Sequence, residues 1–231
     1  MTGPRPGAIL LFAAGFGTRM GALTAERPKP LIEVAGRALL DHALALADAA
    51  DVPVKAVNAH YRAAQIAAHL AARPDVAVSH EMPDILDTGG GLRHALPLLG
   101  DGPLYTLNTD AVWTGPNPLG TLARAWQPER MDALLLLVPA ERARGHAGAG
   151  DFRLDADGLL WRGRDLTYTG AQIVAAEAVG AHPPGAFSLN AVWDGLAERG
   201  RLFGAVHPGG WCDVGHPGGI AEAERMLAEA S

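Results

Sequence analysis

The stretch AILLFAAGFGTRM, residues 8–20, decides the fold. Its first half is apolar without alternation, and its second half turns at once into Gly15-Phe16-Gly17-Thr18-Arg19. An unbroken apolar run of this length suits a strand covered on both faces, as in a parallel sheet sandwiched by helices. The glycines at its end leave backbone N–H groups open to phosphate oxygens, and Thr18 and Arg19 add a hydroxyl and a guanidinium. Two familiar phosphate loops do not match. Met20 stands where a dinucleotide fingerprint needs its third Gly or Ala, and no Gly-Lys-Ser/Thr follows at P-loop spacing.

Outward from this stretch the same pattern repeats. Apolar runs at 54–58, 76–79, 103–107 and 134–138 read as further strands, and 38–50, 63–72, 91–98 and 119–126 carry apolar positions at helical spacing. The alternation predicts an α/β fold with a mostly parallel sheet and a ligand crevice at the carboxyl ends of the strands. Beyond residue 140 it gives way to strands at 151–154 and 159–161 around a DADG turn, a strand at 170–175, a helix at 190–200, a strand at 202–207 and a helix at 217–230. Nothing divides the chain cleanly, so the expectation is one domain over 1–231, with a nucleotide-binding core at 1–140 and an elaboration at 141–231.

The 231 residues are 48% hydrophobic and 19% charged, a composition that supports a folded core. A formal net charge of −6 argues against bulk attraction to nucleic acid or anionic membrane, so any phosphate site has to be local. One cysteine, Cys212, excludes an internal disulfide, and with neither a leader pattern nor an apolar run of spanning length the sequence predicts a cytoplasmic protein.

Four further motifs bear on chemistry. In RPKPL, Pro28 and Pro30 stiffen the chain around Lys29, presenting a cation to a phosphate. LDTGGG places Gly89, Gly90 and Gly91 ahead of an apolar helix, where amides are free to donate to a ligand. NTD ends an apolar strand in Asp110, and WCDVG sets Asp213 among apolar neighbours, where a carboxylate needs a partner such as a metal ion. HEMPD lacks the second histidine of a zinc helix. His60 and Glu81 read first as strand-end residues serving turns, and Trp161 and Trp211 as packing residues.

Together FAAGFGTRM, RPKPL, LDTGGG, NTD and WCDVG resemble, in order and spacing, the sugar-1-phosphate nucleotidyltransferases, and the likeness extends through GDFRL, TYTGAQIV and FSLN. The branch most similar is that of the short bacterial N-acetylmuramate 1-phosphate uridylyltransferases of peptidoglycan recycling. The resemblance implies a glycosyltransferase-A-like, Rossmann-like three-layer sandwich that uses UTP and a sugar 1-phosphate, with Mg²⁺ held by Asp110 and Asp213. It implies catalytic roles for Arg19 and Lys29 at the phosphates, alongside the two aspartates. Nucleotide contacts fall to Ala13, Ala14, Gly15, Gly17, Thr18, Arg19, Met20 and Gly89 to Gly91, and acceptor contacts to Asn108, Gly150, Gln172 and Asn190. Phe12, Thr109 and Gln172 depart from the family pattern, and Gln172 is expected to alter the acceptor pocket. The implied assembly is a monomer or small homo-oligomer.

Two other readings remain open at this level. Other family members act on glucose or mannose 1-phosphate or on phosphocholine; a choline enzyme calls for an aromatic box, and aromatics are only 6% of this chain. A catalytically silent nucleotide-sugar sensor would keep the fold, bind nucleotide and release no pyrophosphate.

Overall fold

The computed structural model describes residues 5–230. The first half of the chain forms strands β1 (Ala8–Phe12), β2 (Glu33–Val34), β3 (Arg37–Ala38), β4 (Val54–Ala59), β5 (Val76–His80), β6 (Leu104–Asn108) and β7 (Ala111–Thr114). The second half adds β8 (Ala133–Pro139), β9 (Ala143–Arg144), β10 (Phe152–Leu154), β11 (Leu160–Arg162), β12 (Leu166–Val174), β13 (Leu202–Val206) and β14 (Gly210–Asp213). The helices are α1 (Leu39–Ala49), α2 (Ala63–His69), α3 (Asp87–Leu99), α4 (Pro118–Ala125), α5 (Ala176–Gly180), α6 (Leu189–Glu198) and α7 (Pro217–Glu229).

The central sheet runs β13-β8-β12-β6-β1-β4-β5, and β10 and β11 extend it from the start of β12. Strands β6, β1, β4 and β5 are parallel, β13 is parallel to β8, and β12 lies antiparallel between β6 and β8. The α/β, mostly parallel architecture is therefore the one expected. Strands from both halves of the chain share this sheet, so residues beyond 140 complete the core as well as elaborate on it.

The sheet explains why β1 reads as an unbroken apolar run. Ile9 and Leu11 pack in one cluster with Leu40 and Leu44 of α1 and Leu119 and Leu122 of α4. Ala8 and Leu10 pack on the opposite face with Leu92 of α3, Val179 of α5 and Leu196 of α6. Successive side chains point to opposite faces, and helices cover both, so neither face calls for polar residues.

A small second sheet, β7-β14-β9, was not legible in the sequence. Its inner residues Val112 and Cys212 join Met20, Val34 and Val214 under Ala223 and Met226 of α7. Cys212 is fully buried, and burial pushes its thiol up to about 12, so it packs as an apolar residue. Trp211 is buried and donates to the Thr169 carbonyl at 3.0 Å, whereas Trp161, expected to pack, is exposed. Trp161 sits on β11 between Leu160, which packs in the cluster with α6, and Arg162, and successive strand side chains point to opposite faces, so Trp161 faces away from that cluster.

His207, just past β13, is fully buried with Nε2 3.4 Å from the Thr114 carbonyl and its ring edge-on to Trp113. Burial pulls its pKa down, and the Arg142 charge adds to the effect against the Thr114 contact. The unfolded chain takes up this proton near pH 6.5 while the native state resists it, so the group costs nothing above that pH and destabilises the fold as pH falls below it. The denaturant midpoint is expected to drop between pH 7 and 5 with a shallower slope in His207→Gln. Parallel slopes in the two proteins would contradict this account.

Among the described residues, no helix is long and apolar enough to cross a membrane.

Candidate active site

The site lies where parallel strands end together. Phe12 of β1, Asn58 of β4 and Asn108 of β6, with Glu81 just beyond β5, all border one open cleft of about 320 Å³. This is the crevice position expected for an open α/β sheet.

The loop after β1 is held from beneath. The Asn58 amide oxygen accepts from Ala13 N at 2.7 Å, and its nitrogen donates to Glu81 Oε1 at 2.7 Å. Glu81 is fully buried and its other oxygen accepts from Leu86 N at 2.8 Å, while His60 Nδ1 lies 2.9 Å from the Glu81 carbonyl. Asn58 and Glu81 thus set the loop geometry, and both also line the cleft. Glu81 and His60 had shown only as strand-end residues; their joining depends on the β4–β5 pairing that sets Ala59 opposite His80.

Ala13, Ala14, Gly15, Gly17, Thr18 and Arg19 all line the cleft. The Gly15 and Phe16 amides have no acceptor among the described residues. Gly17 adopts φ 64°, the left-handed region, and an added Cβ would lie 2.9 Å from Lys29 Cβ, so both the turn and the space require glycine. Met20 does not line the cleft: its amide donates to the Gly17 carbonyl at 2.9 Å and its side chain packs beneath the loop in the third apolar cluster.

The glycine triplet also corrects the expectation. Gly89 and Gly90 lie in the first turn of α3, and both amides donate to the Phe187 carbonyl, at 2.9 and 3.0 Å, so they are not free for a ligand. None of the three lines the cleft; their neighbours Asp87 and Thr88 do. An added Cβ at Gly89 would meet the Phe187 ring at 2.4 Å, at Gly90 the Gly185 carbonyl oxygen at 2.2 Å, and at Gly91 the Glu81 carboxylate at 2.4 Å. The triplet is required by close packing.

Asp110 and Asp213 converge although 103 positions separate them, because β14 pairs antiparallel with β7 and sets Asp213 opposite Ala111. Val214 N donates to the Asp110 carbonyl at 2.8 Å, closing the join. Lys29, buried between its prolines, donates from Nζ to Asp110 Oδ2 at 2.7 Å. Burial pushes the Asp213 carboxyl upward, and the Asp110 charge pushes the same way against Lys29, Arg19 and His146, the last with Nδ1 3.9 Å away. Arg19 and Asp213 flank Gly215 together: a methyl there would lie 3.0 Å from both terminal nitrogens of Arg19 and 2.7 Å from Asp213 Oδ2.

This donor set suits a hard divalent cation. Two carboxylates face each other unfavourably when alone, and no group of three or more His, Cys, Asp or Glu gathers among the described residues. Mg²⁺ takes one or two carboxylates and completes its shell with water and substrate phosphates.

A second pocket of about 270 Å³ adjoins the cleft, sharing Phe12, Asp87, Thr88 and Asn108 with it. Asp151, Arg162, Tyr168, Asn190 and Trp193 complete much of its wall, and of these only Asn190 had been singled out. Gly150 and Gln172 are not in the wall. Gly150 makes the turn, at φ 93°, that leads into Asp151. Gln172 is fully buried behind it, donating to Thr106 Oγ1 at 3.1 Å and accepting from the Trp193 indole N–H at 2.9 Å. β12 is covered by α6 at this point, so a glutamine among apolar residues there anchors the pocket's aromatic wall instead of meeting a ligand. Gln172→Leu is expected to strip the indole of its acceptor and lower stability by about 1–3 kcal/mol. Nucleotide KM should stay within about twofold, because Gln172 lies off the cleft; a selective acceptor defect with unchanged stability would return Gln172 to the acceptor contacts.

The model of the MobA-like NTP transferase domain matches residues 9–219. The chain is a nucleotidyltransferase of this family. The transferase is 43% identical to an N-acetylmuramate alpha-1-phosphate uridylyltransferase of Caulobacter vibrioides, over 97% of this chain and 98% of that one. It is 31% identical to the enzyme of the same name from Neisseria meningitidis serogroup B, over 94% and 96% of the two chains. In fold it is similar to HddC from Yersinia pseudotuberculosis, with a TM-score of 0.76, 19% identity and coverage of 95% and 99%.

Proposed function

We propose that the transferase moves a uridylyl group from UTP to N-acetylmuramic acid 1-phosphate, forming the UDP-sugar and releasing pyrophosphate, with Mg²⁺ at Asp110 and Asp213. The convergence of these carboxylates beside Arg19, Lys29 and an open glycine loop carries the reading. The choice of base and sugar is supported by the near full-length likeness to two enzymes named for that reaction. We place the reaction in the cytoplasm, in peptidoglycan recycling, and expect a monomer or small homo-oligomer.

The attacking oxygen belongs to a phosphate monoester that is largely ionised at neutral pH, so no side chain has to take a proton from it. The protein's work is alignment and charge neutralisation for an in-line displacement at the α-phosphorus. The Gly15 and Phe16 amides and the Thr18 hydroxyl hold phosphate oxygens, and Arg19 and Lys29 offset their charge. Ala13, Ala14 and the Asn58–Glu81 pair form the wall beside base and ribose, the part also assigned above to the glycine triplet, which instead sets that wall from behind. Asn108 stands at the boundary of the two pockets, where donor and acceptor phosphates meet. Bound by Asp110 and Asp213, Mg²⁺ supplies positive charge to the phosphate oxygens.

The test is pyrophosphate release with Mg²⁺ over UTP, dTTP, GTP, CTP and ATP against muramate, glucosamine, glucose and mannose 1-phosphates and phosphocholine. Dominant turnover with UTP and the muramate sugar is expected. A dominant signal elsewhere moves the substrate assignment, and UTP binding with an empty grid replaces catalysis by sensing.

A further inference from the structure

The second pocket carries charge that the transfer itself does not use. Among its described lining residues the ionised groups are Asp87, Asp151 and a single cation, Arg162. Hydroxyls of a neutral sugar are satisfied by acceptors such as these carboxylates and the Asn108 and Asn190 amides. An anionic substituent is not neutralised by them: Asp87 and Asp151 repel it, and among the described lining residues Arg162 alone offers it a positive charge. The 1-phosphate does not fill that role, because it has to reach the α-phosphorus in the neighbouring cleft, where Arg19 and Lys29 stand.

Arg162 is also held ready. It ends β11, where register sets it opposite Phe152, and its guanidinium lies 4.9 Å from the Phe152 ring centroid and 6.0 Å from that of Trp193. Nε and Nη2 donate to Asp194 Oδ1 at 2.8 and 2.7 Å, and Nη2 donates to Asn190 Oδ1 at 2.9 Å. Nη1 has no partner among the described residues. The Asp194 side chain is 58% exposed, so water screens this ion pair and little is lost when the guanidinium turns to a second carboxylate. An arginine stacked on an aromatic surface with Nη1 free is suited to a charge-assisted hydrogen bond to a carboxylate, which becomes bidentate when Nη2 is released from its present partners.

We propose that Arg162 is the specificity residue for an acidic sugar: it binds a carboxylate carried by the sugar ring of the acceptor and sets the preference over the neutral sugar of the same ring. This rests on the proposed function, whose acceptor differs from N-acetylglucosamine 1-phosphate by one lactyl ether bearing a carboxylate. Arg162 acts on acceptor binding and takes no part in the transfer step.

The experiment compares steady-state kinetics of wild type, Arg162→Gln, Arg162→Lys and Asp194→Asn on muramate and N-acetylglucosamine 1-phosphates at saturating UTP, with thermal unfolding of each. Loss of a charge-assisted hydrogen bond predicts that Arg162→Gln lowers the ratio of kcat/KM, acidic over neutral sugar, by about tenfold or more. The change should fall on the KM of the acidic sugar, with kcat and the neutral sugar within about twofold. Arg162→Lys keeps the charge without the fork and should fall between. Asp194→Asn removes the competing carboxylate and should leave the ratio unchanged or raise it, whereas a merely structural ion pair predicts equal losses from either side and on both sugars. A wild type that prefers the acidic sugar, with the same ratio in Arg162→Gln, overturns the inference and leaves the function standing. A wild type that turns over only neutral sugar phosphates overturns both.

Discussion

Asp110→Asn and Asp213→Asn are each expected to lower kcat by about 10²- to 10³-fold, the scale seen when one preorganised electrostatic contact is removed from a transfer site. They should differ in binding. Asp110 accepts from Lys29 at 2.7 Å, so the asparagine leaves that buried ammonium without an anion and frees its charge for the triphosphate. Nucleotide affinity in Asp110→Asn should hold or rise while turnover collapses. Asp213 has His146 Nδ1 only at 3.9 Å, and burial and the Asp110 charge disfavour its ionised form against Lys29, Arg19 and His146, so neutralising it removes an unfavourable charge from the apo protein. Asp213→Asn should therefore unfold at a higher temperature than wild type without Mg²⁺ and lose the stabilisation that Mg²⁺ with nucleotide confers. Titration of UTP binding by calorimetry, with kcat and unfolding temperature for each variant, checks both. Retained turnover and metal dependence in either variant would remove the pair from the mechanism.

Gly90→Ala is expected to lower stability by about 2 kcal/mol, in the range for overfilling a packed site. The sign is informative, because alanine is intrinsically better than glycine inside a helix by about 1 kcal/mol. An open, ligand-facing triplet would therefore make the substitution stabilising. Here the added methyl meets the Gly185 carbonyl oxygen at 2.2 Å, and a backbone atom cannot step aside as a long side chain does. The segment around Phe187 would lose its docking on the first turn of α3, where its carbonyl accepts from both Gly89 and Gly90. Denaturant midpoints measure the effect, and UTP affinity of the folded fraction should change little. A raised midpoint would return the triplet to the ligand.

The same contrast marks what was legible in the chain. Strands 8–14, 54–58, 76–79, 103–107 and 134–138 each fall on a strand of the sheet; at 8–14, 103–107 and 134–138 burial on both faces writes itself as an apolar run that needs no partner to be recognised, whereas the edge strand at 76–79 is buried only in part. The DADG hairpin was legible for an equally local reason: Asp155 accepts from Asp157 N and Leu159 N, so the turn is made by its own residues. The short β7 and β14 carry no such local signature, since each has four residues, containing Trp113 and Trp211, and each is defined by pairing with a strand distant in sequence.

The sequence by itself determined the α/β alternation, the glycine loop after β1 and the residue types of a phosphate-transfer site, because periodicity, turn chemistry and charge are local properties of the chain. The tertiary structure alone decided that Asp213 stands beside Asp110, that the glycine triplet packs instead of binding, and that Gln172 holds Trp193 from behind while Arg162 faces the pocket. Each of these depends on which segments distant in sequence share a wall, and that is set by strand pairing and helix packing across the whole sheet.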